Sequence, residues 1–214
     1  MKTIRLSGVL PQVFAGRGDL KSEVWQRDVV FERGKIYLVE ADSGMGKSTL
    51  CSYLIGYRND FAGELLFDDR SSKTMSESEW AELRRRKVSY LFQELRLFPE
   101  LTARENIDIK NRLTNHASSA QISEWFDRLG ISDKQDELVA HMSFGQQQRV
   151  AMIRALAQPF DFLIADEPIS HLDDMNGETM GQLMLEEAHR QGAAIIVTSI
   201  GKHMTMPWDR ELKL

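Results

Sequence analysis

The stretch Ala41-Asp42-Ser43-Gly44-Met45-Gly46-Lys47-Ser48-Thr49 decides the fold of this chain. It follows an apolar run at residues 36–39 and leads into a second segment rich in apolar residues, which indicates a strand, a glycine-rich turn and a helix. The two glycines let successive backbone N–H groups converge on an anion, and the helix start adds the positive end of its dipole. The stretch therefore predicts a phosphate-binding loop in an α/β fold.

The side chains of this loop predict a nucleotide and a metal ion. Lys47 supplies a positive charge for the β- and γ-phosphates, and the Ser48 hydroxyl is placed to ligate Mg²⁺. The pattern G-x-x-x-x-G-K-[ST] is met except at its first position, where the chain has Ala41. The predicted phosphate contacts are Ser43, Gly44, Met45, Gly46, Lys47, Ser48 and Thr49.

Bulk properties narrow the function classes. The 214 residues suffice for one domain with a substantial core, and the net charge of −5 argues against nucleic acid as the main partner. One cysteine, Cys51, excludes an intrachain disulfide and fits a reducing compartment. No apolar run approaches the ~20 residues that span a bilayer, and the N-terminus lacks the apolar segment of a secretory signal. We expect a cytosolic protein.

The order of segments predicts one nucleotide-binding unit with a helical insertion. Residues 1–94 and 144–214 form the predicted core, in which strands and helices alternate and therefore favour a mainly parallel sheet. The short β segments near the N-terminus form an antiparallel part. Residues 95–143 form the predicted helical subdomain. Within the core, the run Arg84-Arg85-Arg86-Lys87 ends a helix, where the dipole favours cations; contact with anionic lipid is the alternative interpretation.

Two carboxylates end the apolar run at residues 160–165. At the C-terminal edge of a parallel sheet beside a phosphate loop, Asp166 is placed to hold Mg²⁺, directly or through water. Glu167 is then placed to polarise a water molecule that attacks the γ-phosphate.

A second helix start resembles a phosphate site. Ser143 and the Gly145 amide precede a helix and are able to bind phosphate at its N-terminus. A second such start, about 100 residues after the first, has no obvious use in one nucleotide site. This second helix start would be functional if it contacted a nucleotide that is bound by another subunit.

Taken in order, these motifs resemble the ATP-binding subunits of ABC transporters over essentially the whole chain. The motifs are residues 41–49, Gln93, residues 142–146, residues 160–167 and the run Ser170-His171-Leu172-Asp173. Residues 92–106 look most like the small subunits of lipoprotein-release, macrolide-export and cell-division complexes.

The resemblance implies ATP and Mg²⁺ as ligands and assigns further roles. Gln93 would touch Mg²⁺ or the attacking water and report the nucleotide state to a membrane subunit. Ser143, Gly145 and Gln146 would close on the ATP of a second ATPase subunit, with Asp173 at the dimer seam. A transmembrane permease subunit would dock near Leu95 to Phe98, which places the chain on the inner face of the membrane.

The adenine contact is open between two aromatic residues. In the resemblance, Phe14 takes the place of the family's aromatic that stacks on adenine. Trp25 is the other candidate, and packing in the core is the alternative for both.

Three positions depart from the family pattern. Phe144 replaces the first glycine of the usual Leu-Ser-Gly-Gly-Gln turn, and Ala41 is a milder change of the same kind. Ser199 stands where the family has a histidine that contacts the γ-phosphate, and serine cannot carry a positive charge. We therefore expect slow ATP hydrolysis, unless His203 reaches back to the site; a surface histidine is the alternative.

Three functions compete. The first is an ATPase that dimerises around two ATP molecules and drives a separate membrane protein. The second is an ATP-gated assembly module whose hydrolysis only resets it. The third, a soluble ABC ATPase of DNA repair or translation, is disfavoured by the single nucleotide unit and by the acidic net charge.

Overall fold

The computed structural model describes residues 1–17, 20–170, 172–201 and 204–214. Within these residues the strands are β1 Thr3–Pro11, β2 Asp28–Glu32, β3 Ile36–Glu40, β4 Phe61–Phe67, β5 Arg70–Ser71, β6 Val88–Leu91, β7 Phe162–Asp166, β8 Ala194–Ser199 and β9 Arg210–Lys213. The α-helices are α1 Lys47–Leu54, α2 Glu77–Arg86, α3 Ala103–Asn111, α4 Ser119–Arg128, α5 Phe144–Leu156 and α6 Asp174–Gln191.

A five-stranded sheet forms the centre of the molecule. Its order is β6-β7-β8-β3-β9, and every pair in it is parallel. Strands β3, β7 and β8 are almost wholly buried along their length, which explains their continuous apolar sequences. This arrangement confirms the predicted α/β class with a mainly parallel core.

A second, antiparallel sheet carries the N-terminus. Its order is β2-β1-β4-β5, and a register shift in β1 between Ser7 and Leu10 bends the strand beside β4. Together with the parallel sheet it encloses an apolar core that includes Phe31 and Leu50. The predicted antiparallel N-terminal part is thus confirmed.

Local capping signals set the helix starts. Ser76, Thr102 and Ser143 each accept a hydrogen bond from the N–H group three residues on, and the side chain at that position bonds back in a capping box. Gly192 ends α6 in the left-handed conformation. The sequence placed the start of α5 two residues late and the start of β7 two residues early, within the usual uncertainty of element ends.

Residues 95–143 contain α3, α4 and two short 3₁₀ helices. Their apolar side chains, among them Ile107 and Phe126, belong to the same core as residues of β7 and β8. The boundaries of a separate subdomain stay a prediction. Strand β9 at the sheet edge was not predicted. No helix among the described residues is long and apolar enough to cross a bilayer.

Candidate active site

The strand order brings four separate sequence signals to one edge of the parallel sheet. The glycine-rich loop follows β3, Ser199 ends β8, Asp166 ends β7, and Gln93 follows β6. Because β3, β8, β7 and β6 are consecutive neighbours, their carboxyl ends lie side by side. This edge is where parallel α/β sheets bind their ligands.

Gly46 is the tightest position in the loop. It has φ +99° and precedes α1, and a Cβ there would lie 3.0 Å from Cε2 of Phe14 and 3.1 Å from Cζ2 of Trp25. The indole Nε1–H of Trp25 donates to the Met45 carbonyl at 3.1 Å. Gly44 also has positive φ, but nothing lies within 4 Å of its Cβ position. The two aromatic rings therefore support the loop from below at Gly46.

Lys47 is buried inside the loop. Its Nζ donates to the carbonyl oxygens of Ala41 at 2.9 Å and Asp42 at 3.0 Å, and lies 3.7 Å from the carboxylate of Glu167. Only 5% of its side chain is exposed. The loop thus holds a desolvated ammonium with internal acceptors, beside the predicted base.

Asp166 is buried at the end of β7 and receives hydrogen bonds from two hydroxyl groups. Tyr90 donates to one carboxylate oxygen at 3.2 Å, and Thr198 donates to the other. Burial raises the pKa of Tyr90, so its hydroxyl stays a donor. Burial also raises the pKa of the Cys51 thiol well above its usual value, and Asp166 adds to that effect. Cys51 is therefore a neutral, buried thiol.

Glu167 adopts a left-handed backbone conformation, with φ +49°. Its N–H donates to the Thr198 carbonyl at 3.1 Å, and Nε2 of Gln93 donates to its carboxylate at 3.3 Å. Non-glycine residues seldom take this conformation, and such positions cluster at functional sites. Gln93 and Lys47 both contact Glu167, so the structure brings these predicted catalytic residues together.

The residues expected to hold Mg²⁺ offer the donor atoms that this ion prefers. Ser48 carries a hydroxyl, Asp166 a carboxylate and Gln93 an amide oxygen, and Mg²⁺ takes oxygen ligands and retains several waters. Both carboxylate oxygens of Asp166 already accept a hydrogen bond, which favours contact through a bound water. The donor set fits the ion.

The predicted adenine contact is buried. Phe14 is 3% exposed and Trp25 is 2% exposed, while the guanidinium of Arg17 covers the Phe14 ring at 5.2 Å from its centroid. Val13, beside them, is 63% exposed. The structure gives both aromatics a packing role under the loop, and a role for Phe14 in stacking on adenine stays a prediction.

Ser199 lies within the sheet. It is 2% exposed, it pairs with Glu40 of β3, and its carbonyl accepts the Ala41 N–H at 3.2 Å. The next residue, Ile200, is 44% exposed and lines the cavity above the loop. His171 and His203 lie outside the described residues, and a contact of His203 with the site stays a prediction.

The second predicted phosphate site is exposed and lies outside the nucleotide cavity. Ser143 accepts from the Gln146 N–H at 3.3 Å, and the Ser143 N–H donates to the Gln146 side chain at 2.8 Å. Phe144 is 43% exposed. None of residues 143–146 is among the described residues that line the cavity.

The cavity above the loop has a volume of about 450 Å³. The described residues that line it are Val13, Phe14, Arg17, Ser43, Gly44, Gly46, Lys47, Ser48, Thr49, Arg58, Gln93, Glu167 and Ile200. Sequence reasoning missed Arg17 and Arg58, because neither lies in a motif. It also missed Tyr90 and Thr198, whose hydroxyl groups meet Asp166 only through strand pairing.

Residues 26–170 match the family model described as ABC transporter. The chain is 34% identical to the lipoprotein-releasing system ATP-binding protein LolD of Myxococcus xanthus, over 86% of this chain and 83% of that protein. It is 33% identical to the macrolide export ATP-binding/permease protein MacB of a Shewanella species, over 87% of this chain. That match spans only 29% of MacB.

The fold is similar to a solved structure described as the dimeric structure of MJ0796, a bacterial ABC transporter cassette. The TM-score is 0.78 and the sequence identity 26%, over 92% of this chain and 87% of that one.

Proposed function

This chain belongs to the ABC transporter family, and we propose that it is the ATP-binding and ATP-hydrolysing subunit of a transporter whose membrane-spanning part is a separate chain. Its relatives include ATP-binding subunits, and LolD, like this chain, aligns over most of its own length. The observation that carries the proposal is the convergence of Lys47, Gln93 and Glu167 at one sheet edge.

The proposed chemistry is attack of water on the γ-phosphate of ATP. The N–H groups of residues 43–49 bind the phosphates, and Lys47 exchanges its carbonyl acceptors for phosphate oxygens. Bound Mg²⁺, held through Ser48, Gln93 and Asp166, would neutralise charge that develops on the phosphates. Glu167 accepts a proton from the water as it attacks, and Gln93 orients the Glu167 carboxylate through its hydrogen bond.

We infer that each site is completed by a second ATPase subunit. Ser143, Gly145 and Gln146 lie at an exposed helix start and not in the cavity of their own chain, which supports their use on a neighbour's ATP. Asp173, which caps α6 by accepting the Asn176 N–H, would lie at the seam between the two subunits. The dimeric cassette of similar fold supports the same arrangement.

The membrane-spanning partner would dock near Leu95 to Phe98 and hold the chain at the inner face of the membrane. Phe98 is 50% exposed, and its backbone is fixed by Asn106, which bonds both its N–H and its carbonyl oxygen. An exposed aromatic on a rigid loop suits a protein contact.

Slow hydrolysis is part of the proposal. Ser199 carries no charge and lies buried in the sheet, so it offers the γ-phosphate less than a histidine would. The same observation favours one second candidate, an ATP-gated assembly module in which dimerisation is the output and hydrolysis only resets it.

One experiment tests the proposal and separates the two candidates. The chain is purified together with its membrane-spanning partner from native membranes. Transport through that partner, and binding of the chain to it, are then measured with wild type and with Glu167→Gln. A transporter subunit requires turnover, so Glu167→Gln abolishes transport. An assembly module functions in the ATP-bound Glu167→Gln state. Failure to recover a membrane-spanning partner, or absence of ATP hydrolysis by wild type, would contradict the proposed function.

A further inference from the structure

Three cations from three different helices meet beside the proposed docking loop. They are Arg84 of α2, Lys110 of α3 and Arg154 of α5, and they are named here the cation cluster. Nζ of Lys110 lies 3.5 Å from the Arg84 carbonyl oxygen. The Arg154 guanidinium donates to the carbonyl oxygens of Leu95 and Arg96, the latter at 2.6 Å. The cation cluster therefore adjoins Leu95 and Arg96, the first residues of the proposed docking loop at residues 95–98.

The cation cluster has no acidic partner within the part of the chain that the structure describes. None of its three side chains forms an ion pair with a described carboxylate, and within the described residues these side chains donate hydrogen bonds to backbone carbonyl oxygens. Burial, with Arg154 and Arg84 adding to it, lowers the pKa of Lys110 to about 8. Burial lowers the pKa of Arg154 to about 10. Partly desolvated cations without a counter-charge are unfavourable in an isolated subunit.

The neighbouring cations of α2 show the opposite pattern. Arg85 and Arg86 are more exposed than Arg84, and both are paired with the carboxylate of Glu82. Solvent would have screened these two charges in any case. The chain thus supplies a carboxylate to the exposed arginines of this helix and none to the half-buried one.

Aromatic rings lie at the rim of the cation cluster. Tyr57 is 50% exposed, and the guanidinium groups of Arg84 and Arg96 lie 5.8 Å and 5.6 Å from its ring centroid. Arg96 also covers Phe92 at 4.3 Å. An exposed ring close to two guanidinium groups offers apolar contact and positive charge together, which is typical of a protein interface centre.

We propose that the cation cluster receives a carboxylate, the side chain of an Asp or Glu on the cytoplasmic segment of the membrane-spanning partner. This inference rests on the proposed function and adds the chemistry by which the partner is recognised. Lys110 provides the main contact, because its ammonium has three donors and one long hydrogen bond within the described chain. Arg84 and Arg154 add charge, and Tyr57 packs against the backbone of the same segment.

Binding to vesicles made from native membranes tests the proposal. Wild type, Lys110→Gln and Arg84→Gln are compared by co-sedimentation, with Arg85→Gln as the matched control from the same helix. We expect at least a tenfold loss of affinity for Lys110→Gln and Arg84→Gln and no change for Arg85→Gln. Thermal unfolding controls for folding; Lys110→Gln removes a desolvated charge and leaves the unfolding temperature equal or higher.

The outcomes separate this inference from the proposed function. If wild type does not bind to native vesicles, both the inference and the proposed function are wrong. If wild type, Lys110→Gln and Arg84→Gln all bind equally well, the proposed function still stands and the inference is wrong. Binding to protein-free vesicles of phosphatidylglycerol, lost in the same two variants, would assign the cluster to lipid and overturn it as well.

A charge exchange identifies the carboxylate. A photo-crosslinking amino acid at position 57 marks the contacting segment of the partner, and each acidic residue there is changed to Lys. One such change is expected to abolish binding to wild type and to restore binding to Lys110→Glu. If no acidic residue of the segment behaves in this way, the inference is wrong.

Discussion

Nζ of Lys47 lies 3.7 Å from the carboxylate of Glu167, and both side chains are largely buried. The lysine that would bind the phosphates and the glutamate that would activate water thus hold each other in the same desolvated space. An incoming γ-phosphate competes with Glu167 for Lys47, so removal of the negative charge affects binding and turnover in opposite directions.

Glu167→Gln is expected to lower ATP turnover by about 10²–10⁴-fold, because an amide cannot accept the proton of the attacking water. ATP affinity stays equal or rises, since Lys47 no longer has a charged internal partner. Phosphate release and titration with a fluorescent ATP analogue measure the two effects. Glu178→Gln, at an exposed position of α6, is the control. Retained turnover in Glu167→Gln would remove Glu167 from the mechanism.

Gly46→Ala and Gly44→Ala form a matched pair. Both add a methyl group at positive φ, but only the one at residue 46 would strike Phe14 and Trp25. Gly44→Ala is expected to cost about 1 kcal/mol of unfolding free energy and Gly46→Ala roughly 2–3 kcal/mol, with loss of ADP binding. Thermal unfolding and calorimetric ADP titration test this. Equal effects at the two positions would show that the rings do not support the loop.

Ser199→His is expected to raise the rate at saturating MgATP by tenfold or more. A cationic imidazole near the γ-phosphate adds an attraction on the order of 4 kcal/mol before desolvation, of which a fraction suffices for that factor. Ser199→Ala removes the hydroxyl without adding charge and leaves the rate nearly unchanged. If His and Ala at this position give the same rate as Ser, the explanation for slow hydrolysis is wrong.

Tyr90→Phe tests the support of Asp166. The substitution removes the hydroxyl that donates to the carboxylate at 3.2 Å. The Mg²⁺ concentration for half-maximal turnover should rise about three- to tenfold, because a less fixed carboxylate orients the hydrated ion less well. The control is Tyr53→Phe, whose hydroxyl donates to the Asp60 carbonyl. If Tyr90→Phe has the same Mg²⁺ dependence as wild type, the hydrogen bond from Tyr90 to Asp166 does not contribute to Mg²⁺ binding.

Lys110 makes stability depend on pH above neutrality. Its pKa is about 8 in the folded chain and near the ordinary 10.5 when unfolded, so the unfolded state binds more protons between these values. Stability of wild type is therefore expected to rise from pH 8 to pH 10 relative to Lys110→Met. At pH 7, where Lys110 is charged, its burial is expected to lower the unfolding free energy of wild type by roughly 1–3 kcal/mol relative to Lys110→Met. Urea unfolding at both pH values gives the comparison, and parallel profiles would contradict the burial of this charge.

The sequence by itself determined the local structures. The stretch at residues 41–49 specified a strand, a turn and a helix, because glycine conformation and helix-start chemistry depend on residues adjacent in the chain. The capping boxes at Ser76 and Thr102 are of the same kind. The run at residues 160–167 likewise placed Asp166 and Glu167 at a strand end.

Only the tertiary structure decided which of these signals meet. Strand order set Gln93 and Lys47 on either side of Glu167, and it gave Asp166 its hydroxyl partners. The same holds for the burial of Phe14 and for the cation cluster, whose members come from three helices. Burial and charge pairing add up over neighbours that are tens of residues apart in the chain. A linear pattern records each residue's type and spacing, whereas these energies depend on which distant side chains share the same space.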